Sequence, residues 1–239
     1  MTAVRVWDLP TRLFHWLLFA CVVVAYFTAE GEGSTHQIHV AAGYGIGVLL
    51  LFRVIWGFAG TRYARFAEFG RALAELPSYL PRLLRLRPTA YLGHNPVGLL
   101  MIAAMTVTLV LVLWSGLYGG EELHETVGNL IIILAGIHVL GVVADSFMTG
   151  DNLVRSMVTG TKQREQDPGQ GASIASLSGG VRALAVLAVT AVLTVLGFSQ
   201  SQALKWPPPM ESEMEEHEGG EHGEADEQEE SEEYEDEYE

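Results

Sequence analysis

Two histidines, His124 and His138, enclose thirteen mostly apolar residues, ETVGNLIIILAGI. In an α-helix, fourteen residue steps cover about 21 Å and almost four whole turns. The two imidazoles would therefore lie on nearly the same helix face, but at different depths if the helix crosses a membrane. They are too far apart to bind one metal ion together. Each of them could instead bind one of two separate metal centres.

Each centre then needs a second ligand from another helix at matching depth. His15 lies near the start of the first apolar segment, and His39 lies near the start of the second. Because successive spans run in opposite directions, His15 can reach the depth of His138, and His39 can reach that of His124. His36 is an alternative to His39, but it lies in the polar stretch GEGSTH, where we expect a solvated loop. We favour His39, which begins the apolar run.

Two imidazoles at each of two distant positions are typical of haem iron with both axial sites filled by histidine. Zinc favours a tetrahedral cluster of three or four ligands, which these pairs do not supply. An ionisable side chain within a membrane span is costly and usually functional. The four histidines therefore predict two haems b. An iron with two histidine ligands has no open position for substrate, which favours electron transfer over oxygen chemistry.

Three further residues share the helix face of His39. Gly43 and Gly47 follow it by four and eight positions, so that a porphyrin could lie close to the backbone there. Small residues at this spacing also allow close packing of two helices, and both interpretations stay open. Arg53 follows His39 by fourteen positions and could meet a haem propionate near the opposite membrane face. Alternatively, the Arg53 side chain only extends along the helix to place its charge at the membrane surface, without a role in haem binding.

The elements that position these residues are membrane-spanning helices, which need about 20 mainly apolar residues each. Five segments qualify: 12–29, 38–58, 96–118, 124–145 and 181–199. We predict an all-α polytopic membrane protein in four parts. These are a four-helix transmembrane bundle with two b haems over 1–162, a cytoplasmic linker over 163–180, a fifth transmembrane helix over 181–199, and an acidic disordered tail over 200–239. The single cysteine, Cys21, excludes an intrachain disulfide and is expected to be a buried small apolar residue.

The distribution of charge predicts the orientation in the membrane. Lys and Arg in short loops mark the cytoplasmic side. Thirteen of the 14 basic residues flank the predicted spans on the same side as the N-terminus, and only Lys205 lies on the other. We therefore expect a bacterial inner-membrane protein with a cytoplasmic N-terminus and a periplasmic tail. The net charge of −15 belongs to that tail, because residues 211–239 hold seventeen of the 29 acidic residues.

Five stretches of the chain occur in an order typical of one family: VWDLPTRLFHWLL, HVAAGYGIGVLLLFRVIWG, GHNPVGLLMI, LHETVGNLIIILAGIHVLGVVADSF and DNLVRSMVTGTK. They resemble the bacterial cytochrome b561 family, which includes the cytochrome b subunits of nickel–iron hydrogenases. The resemblance covers roughly residues 4–162. It implies a four-helix bundle with two haems b and electron transfer across the inner membrane. It also implies the haem ligands, which fall on His15, His39, His124 and His138.

The remaining segments suggest partners. The anionic tail would attract a basic electron carrier such as a periplasmic cytochrome c, or dock an oxidoreductase subunit; alternatively, it is only solvated. His217 and His222 within it could bind a metal ion. The arginine-rich segment 59–94 is expected to lie on the membrane surface as a lipid anchor, or to form a docking surface or one wall of a quinone pocket. His94 is expected at a helix start. A homodimer stays open, and no nucleic-acid partner is expected.

Three functions from different classes follow from these observations. The first is a di-haem electron-transfer cytochrome between the quinone pool, or a redox partner, and a cytochrome c or an oxidoreductase. The second is a stand-alone quinone oxidoreductase that acts on a small oxidant such as superoxide. The third is a metal-ion transporter or sensor with a tail rich in His and Glu. Only the second would be an enzyme in its own right.

Overall fold

The computed structural model describes residues 2–164 together with Val186 and Thr190. The chain divides into two units, Met1–Thr194 and Val195–Glu239, and the described residues belong to the first. Of the predicted fifth span, only Val186 and Thr190 are described, and both are helical. The predicted linker beyond Arg164 and the acidic tail lie outside the described residues. The predicted division of the chain into four parts stays a prediction.

The described elements are, in chain order, β1 (Thr2–Arg5), α1 (Leu9–Phe27), α2 (Ser34–Ala59), α3 (Phe66–Ala74), α4 (Leu76–Leu84), α5 (Pro96–Trp114), α6 (Glu121–Thr149), α7 (Leu153–Thr159) and β2 (Thr161–Arg164). A 3₁₀ turn, Arg62–Ala64, precedes α3, and a π-helical turn, Ser115–Gly119, continues α5. The predicted helical membrane protein is confirmed, since α1, α2, α5 and α6 are each long and apolar enough to cross a membrane.

Asparagine and aspartate caps decide where two of these spans begin. Asp8 Oδ1 accepts a hydrogen bond from the Thr11 amide at 2.7 Å, and Asn95 Oδ1 accepts one from the Gly98 amide at 2.6 Å. Each cap is followed by a proline in the first helical turn, where the missing N–H costs nothing. The first span therefore begins at Leu9, three residues before the apolar segment read from the sequence.

The four long helices pack as two close pairs. α1 runs along α2, α5 runs along α6, and α2 joins the pairs by touching α5. α1 and α6 make little direct contact with each other. A buried cluster from α2, α5 and α6 fills the middle of the bundle; its members are Ile46, Leu50, Leu109 and Ile131. Cys21 is half-buried beside it and lies against Gly45, where an added Cβ would be 3.2 Å from its sulfur.

The outward faces of the long helices are apolar and exposed. Phe147 and Leu140 on α6 are 83% and 69% exposed, and Phe27 at the end of α1 is 80% exposed. A contiguous apolar surface of this kind is expected to face lipid rather than water.

The two ends of the bundle differ in charge. The arginine-rich end carries β1, α3, α4, α7, β2 and the loops between them. The arginine-free end consists of the loops 28–33 and 115–120, which contain neither Lys nor Arg. At the arginine-rich end, β1 pairs antiparallel with β2 from Thr2↔Arg164 to Arg5↔Thr161. The all-α prediction missed this ribbon, because four-residue strands are too short to show a period in the sequence.

The segment 59–94 differs from the single surface helix that its composition suggested. It forms two short helices, α3 and α4, and the break between them falls just before Pro77. Phe66 packs against Gly57, and Phe69 packs on His94 with ring centres 5.6 Å apart. These phenylalanines therefore pack on the protein itself, because the chain folds back under α5. Leu84, at 76% exposed, stays available to a membrane surface.

Candidate functional site

The structure brings His39 and His124 together at the arginine-free end. Their ring centres lie 5.8 Å apart and their planes make an angle of 82°. His39 Nδ1 donates to the carbonyl of Ala25 at 2.8 Å, and His124 Nδ1 donates to the carbonyl of Val112 at 3.0 Å. A carbonyl only accepts, so both rings carry their proton on Nδ1 and keep a lone pair on Nε2. This arrangement is typical of imidazoles that bind a metal.

The π-helical turn after α5 shapes the position of His124. Ser115 Oγ lies 3.2 Å from His124 Nδ1 and donates to the carbonyl of Val112 at 3.0 Å. A Cβ added to Gly116 would lie 2.9 Å from His124 Cε1, so only glycine leaves room for this ring. Single π-helical turns occur often at functional sites. Neither Ser115 nor Gly116 was predicted, and SGLYG on its own gives little signal.

His15 and His138 lie together toward the arginine-rich end. Their ring centres are 6.5 Å apart, with an angle of 51° between the planes. Trp16 packs edge-on against His15 at 5.2 Å. His15 Nδ1 is buried and has no hydrogen-bond partner among the described residues. The second pair therefore has a spacing similar to that of the first, but His15 lacks the hydrogen bond to a backbone carbonyl that His39 and His124 each make.

Both pairs fit a haem by distance. A metal-bound imidazole nitrogen lies about 2 Å from its metal, and the ring centre lies about 1 Å further out. Two imidazoles on opposite faces of one iron therefore have ring centres about 6 Å apart. The observed separations of 5.8 and 6.5 Å agree with this value.

The surrounding space also fits a porphyrin. Gly43 and Gly128 each follow a histidine of the first pair by about one helical turn and are half-buried. An added Cβ at either would meet no atom within 4 Å. Gly47 differs, because a Cβ there would touch Leu113 at 3.7 Å, so this glycine faces α5. The open space at Gly43 thus agrees with room for a porphyrin, whereas the contact at Gly47 agrees with close packing of two helices.

His36 occupies a different position from the one expected. It lies in the first turn of α2 and not in a loop, because the helix begins at Ser34. Its half-buried ring stacks on His39 with centres 6.4 Å apart and planes 20° from parallel. The contact of His39 with His124 supports the choice of His39 as the ligand, which stays a prediction.

Two arginines bring unsatisfied buried N–H groups to the arginine-rich end. Arg53 Nη1 and Arg12 Nε are both buried and have no hydrogen-bond partner within residues 2–164. The guanidinium of Arg53 lies over the rings of Phe66 and Phe69, at 5.3 and 5.5 Å from their centres. Arg12 also donates from Nη1 to the carbonyl of Val158. Buried donors of this kind suit an anionic group, and the sequence had indicated only Arg53.

His94 lies directly before the cap of α5, as expected for a helix start, and its ring is in the same charged region. The ring packs 4.6 Å from Trp7. Shielding from water and the positive charges of Arg53 and Lys162 lower the pKa of His94 to about 3. The ring is therefore neutral at physiological pH. It lines a cleft of about 400 Å³ between α3 and the loop 90–94.

Comparison with known proteins decides the family. The family model described as prokaryotic cytochrome b561 matches residues 6–160. The chain belongs to this family. Cytochromes of this family carry b-type haem and transfer electrons through it. Together with the four long apolar helices, membership makes the chain a multi-pass bacterial membrane protein that transfers electrons through haem b.

Curated relatives of this cytochrome have similar lengths. A probable Ni/Fe-hydrogenase B-type cytochrome subunit of Azotobacter vinelandii is 26% identical over 220 residues, covering 70% of this chain and 91% of the relative. The probable Ni/Fe-hydrogenase 1 B-type cytochrome subunit of Escherichia coli K12 is 26% identical over 215 residues, with 67% and 91% covered. That of Rhodobacter capsulatus is 25% identical over 224 residues, with 70% and 84% covered. No solved structure matches the chain significantly.

Proposed function

We propose that this cytochrome holds two haems b, one between His15 and His138 and one between His39 and His124. Through them it passes electrons between the two faces of the bacterial inner membrane. The observation that carries this proposal is the presence of two facing imidazole pairs at the spacing of a haem iron. Each haem, held by its two histidines, would supply a one-electron iron centre, which suits electron transfer.

The protein side chains orient and separate the two sites. The Nδ1 hydrogen bonds leave the Nε2 lone pairs of His39 and His124 available, so these two atoms would hold a shared iron. The unsatisfied guanidinium groups of Arg12 and Arg53 would hold propionates at the other site. Ile131 lies seven residues from each histidine of α6, so the buried cluster around it excludes water between the sites. Electrons can cross an apolar layer of this kind, whereas it opposes the passage of ions and protons, which lose their hydration there.

The partner at one face is proposed to be an oxidoreductase. The matched relatives carry the name of Ni/Fe-hydrogenase subunits, which supports a partner of that class. The tail over 200–239 would dock this partner, or a periplasmic cytochrome c, through its negative charge. The distribution of Lys and Arg supports a cytoplasmic N-terminus and a periplasmic tail.

The partner at the other face is proposed to be quinone. The cleft beside His94 has a volume of about 400 Å³, within the usual range for small-ligand sites. Phe69 and Leu99 supply apolar walls. The neutral ring of His94 can hydrogen-bond to a quinone oxygen there. Turnover with quinone and a small oxidant, without a protein partner, would favour the stand-alone enzyme instead.

The proposal is tested by counting haems. The full chain, purified from native membranes, should contain two iron-protoporphyrins per polypeptide by the pyridine haemochrome assay. It should also show a b-type α band in the reduced-minus-oxidised spectrum. One haem per chain would contradict the di-haem proposal, and none would contradict electron transfer by this protein altogether. No group of three or more His, Cys, Asp or Glu in the described part of the chain could hold an ion. The alternative of a metal transporter rests on the tail rich in His and Glu, which lies outside the described residues, and a chain without haem would favour it.

A further inference from the structure

Asp8 uses both of its carboxylate oxygens inside the protein. Oδ1 caps α1 by accepting from the Thr11 amide at 2.7 Å. Oδ2 accepts from Trp56 Nε1 at 3.2 Å and from Thr61 Oγ1 at 2.5 Å. A cap needs only one oxygen, and Ser, Thr or Asn would supply it equally well. The second oxygen therefore has another role, because it ties the start of α1 to the end of α2.

The tie places a carboxylate near the buried cation Arg53. Arg53 lies on α2 one turn before Trp56, which is only 1% exposed. Residues three apart share a helix face, so the hydrogen bond from Trp56 to Asp8 Oδ2 brings the carboxylate to the side of α2 that carries Arg53. The Nη1 atom of Arg53 has no partner among the described residues. Opposite charges that are shielded from water interact strongly, because little solvent screens them.

Asp8 and Arg53 are close to only one of the two histidine pairs. His15 follows Asp8 by seven residues, about two turns of α1, and so lies near the same helix face. Arg53 follows His39 by fourteen residues, so it lies about 21 Å along α2 from the His39–His124 pair, toward the end of the bundle where His15 and His138 meet. The other histidine pair is about 21 Å away along α6. Since an electrostatic effect falls with distance, these two charges should act mainly on the nearer site.

We infer that Asp8 is a positioning residue whose carboxylate offsets the charge of Arg53 and thereby sets the reduction potential of the His15–His138 site alone. This inference rests on the proposed haem sites. A nearby positive charge favours the reduced form of an iron centre, because reduction removes one positive charge. Loss of the Asp8 charge should therefore raise the potential of that site, and loss of the Arg53 charge should lower it.

The test is a spectroscopic redox titration of the full chain, purified with its haems. Asp8→Asn keeps the helix cap and removes the charge. It should shift the reduction equilibrium of one haem about tenfold toward the reduced form, which corresponds to an increase of about 59 mV for a one-electron couple. Arg53→Gln should shift the same haem in the opposite direction. The double variant Asp8→Asn/Arg53→Gln should return close to the wild-type potential, and the second haem should not move.

Trp56→Phe is the matched control, because it removes the indole hydrogen bond to Asp8 without changing charge. If Trp56→Phe moves the potential as much as Asp8→Asn does, the role of Asp8 is purely structural and the inference is overturned. Equal shifts of both haems, shifts of the same sign in both single variants, or no shift in Asp8→Asn also overturn it.

Haem loss in a variant has a defined meaning too. If Asp8→Asn alone loses haem and the double variant retains it, the uncompensated Arg53 is responsible, which supports the inference. If both lose haem, the inference is overturned. Failure of the proposed function appears differently, as a wild-type protein without two b-type haems.

Discussion

The two histidine pairs of this cytochrome are held by different kinds of interaction. At the arginine-free end, the carbonyls of Ala25 and Val112 accept hydrogen bonds from His39 and His124, and Gly116 provides the space for one ring. In both contacts the acceptor is a backbone carbonyl, whose position is fixed by its helix. The arrangement fixes the orientation of both imidazoles before any haem binds.

At the arginine-rich end, charged side chains take the place of backbone contacts. His15 Nδ1 lacks a hydrogen-bond partner in the described chain, while Asp8, Arg12 and Arg53 lie around this end of the bundle. The difference is that the first pair is held by backbone contacts and shape, whereas the second pair lies among charged side chains, whose effect on it is the proposal made above. Substitutions that change shape should damage the first, and substitutions that change charge should alter the second.

The largest expected effect is the selective loss of one haem. His124→Ala should remove the haem at the arginine-free end and leave the other, and His138→Ala should do the reverse, because the buried cluster separates the sites. The haem content should fall from two to one per chain, with different α-band spectra left in the two variants. His36→Ala is the matched control and should keep both haems. If it loses the haem at the arginine-free end, the choice of His39 is wrong.

A shape change at one end gives the next largest effect. Gly116→Ala would place a Cβ 2.9 Å from His124 Cε1, so the ring must move out of line. Haem affinity at that site should fall about 10- to 100-fold, as it does when a contact that orients a metal-bound histidine is lost. Transfer of haem to an apoprotein acceptor measures this loss. Gly136→Ala is the control, since this glycine is exposed, unlike Gly43 and Gly128, and an added Cβ there meets nothing within 4 Å. If both variants lose haem equally, the clash with His124 is not the cause, and the proposed sensitivity of this site to shape is wrong.

Much of this architecture could be predicted from the sequence, because a membrane restricts it so strongly. Apolar length predicted five spans, of which α1, α2, α5 and α6 confirm four, while the fifth lies largely outside the described residues. The distribution of Lys and Arg predicts which end is cytoplasmic, and this orientation stays a prediction. Once the directions alternate, the depth of each histidine follows, and so does the contact between His39 and His124 and between His15 and His138.

The parts that were missed depend on contacts between distant segments. The Val112 carbonyl reaches His124 only because α5 ends in a π-helical turn. The hydrogen bond from Trp56 to Asp8 joins residues 48 positions apart. His36 was wrongly placed in a loop, because the polar composition of GEGSTH hid the first turn of α2. No local pattern reports any of these three features.

A charge change at the arginine-rich end should have a smaller effect. Arg12→Gln removes the buried Nε donor that no described residue satisfies. A hydrogen bond to a charged group contributes about 1.5–3 kcal/mol, and Gln keeps a neutral donor in its amide, so that only part of this energy is lost and haem affinity at the His15–His138 site should fall about tenfold. The same haem-transfer assay should show no change at the other site. If haem affinity falls only at the His39–His124 site, the assignment of Arg12 to the His15–His138 site is wrong.

The smallest expected effect is a response to alkaline pH, again at the charged end. Tyr91 donates to Glu75 Oε2 at 2.6 Å, and its backbone carbonyl accepts from Lys162 at 2.8 Å. Burial, followed by the hydrogen bond and negative charge of Glu75, raises the pKa of Tyr91 from 10.0 to about 12. Burial likewise raises the pKa of Tyr79 to about 12.

A tyrosine whose pKa is raised in the folded state contributes stability that is complete below pH 10 and is lost as pH rises toward 12. The thermal unfolding midpoint should therefore fall over this range, and the α band of the His15–His138 haem should change before that of the other haem. Tyr91→Phe should weaken the pH dependence while costing some stability at pH 7, because the bond to Glu75 is lost. Glu75→Gln is the partner control, since it keeps an acceptor but removes the charge. If Tyr91→Phe leaves the alkaline slope unchanged, or if both haems respond at the same pH, then titration of Tyr91 does not distinguish the two ends.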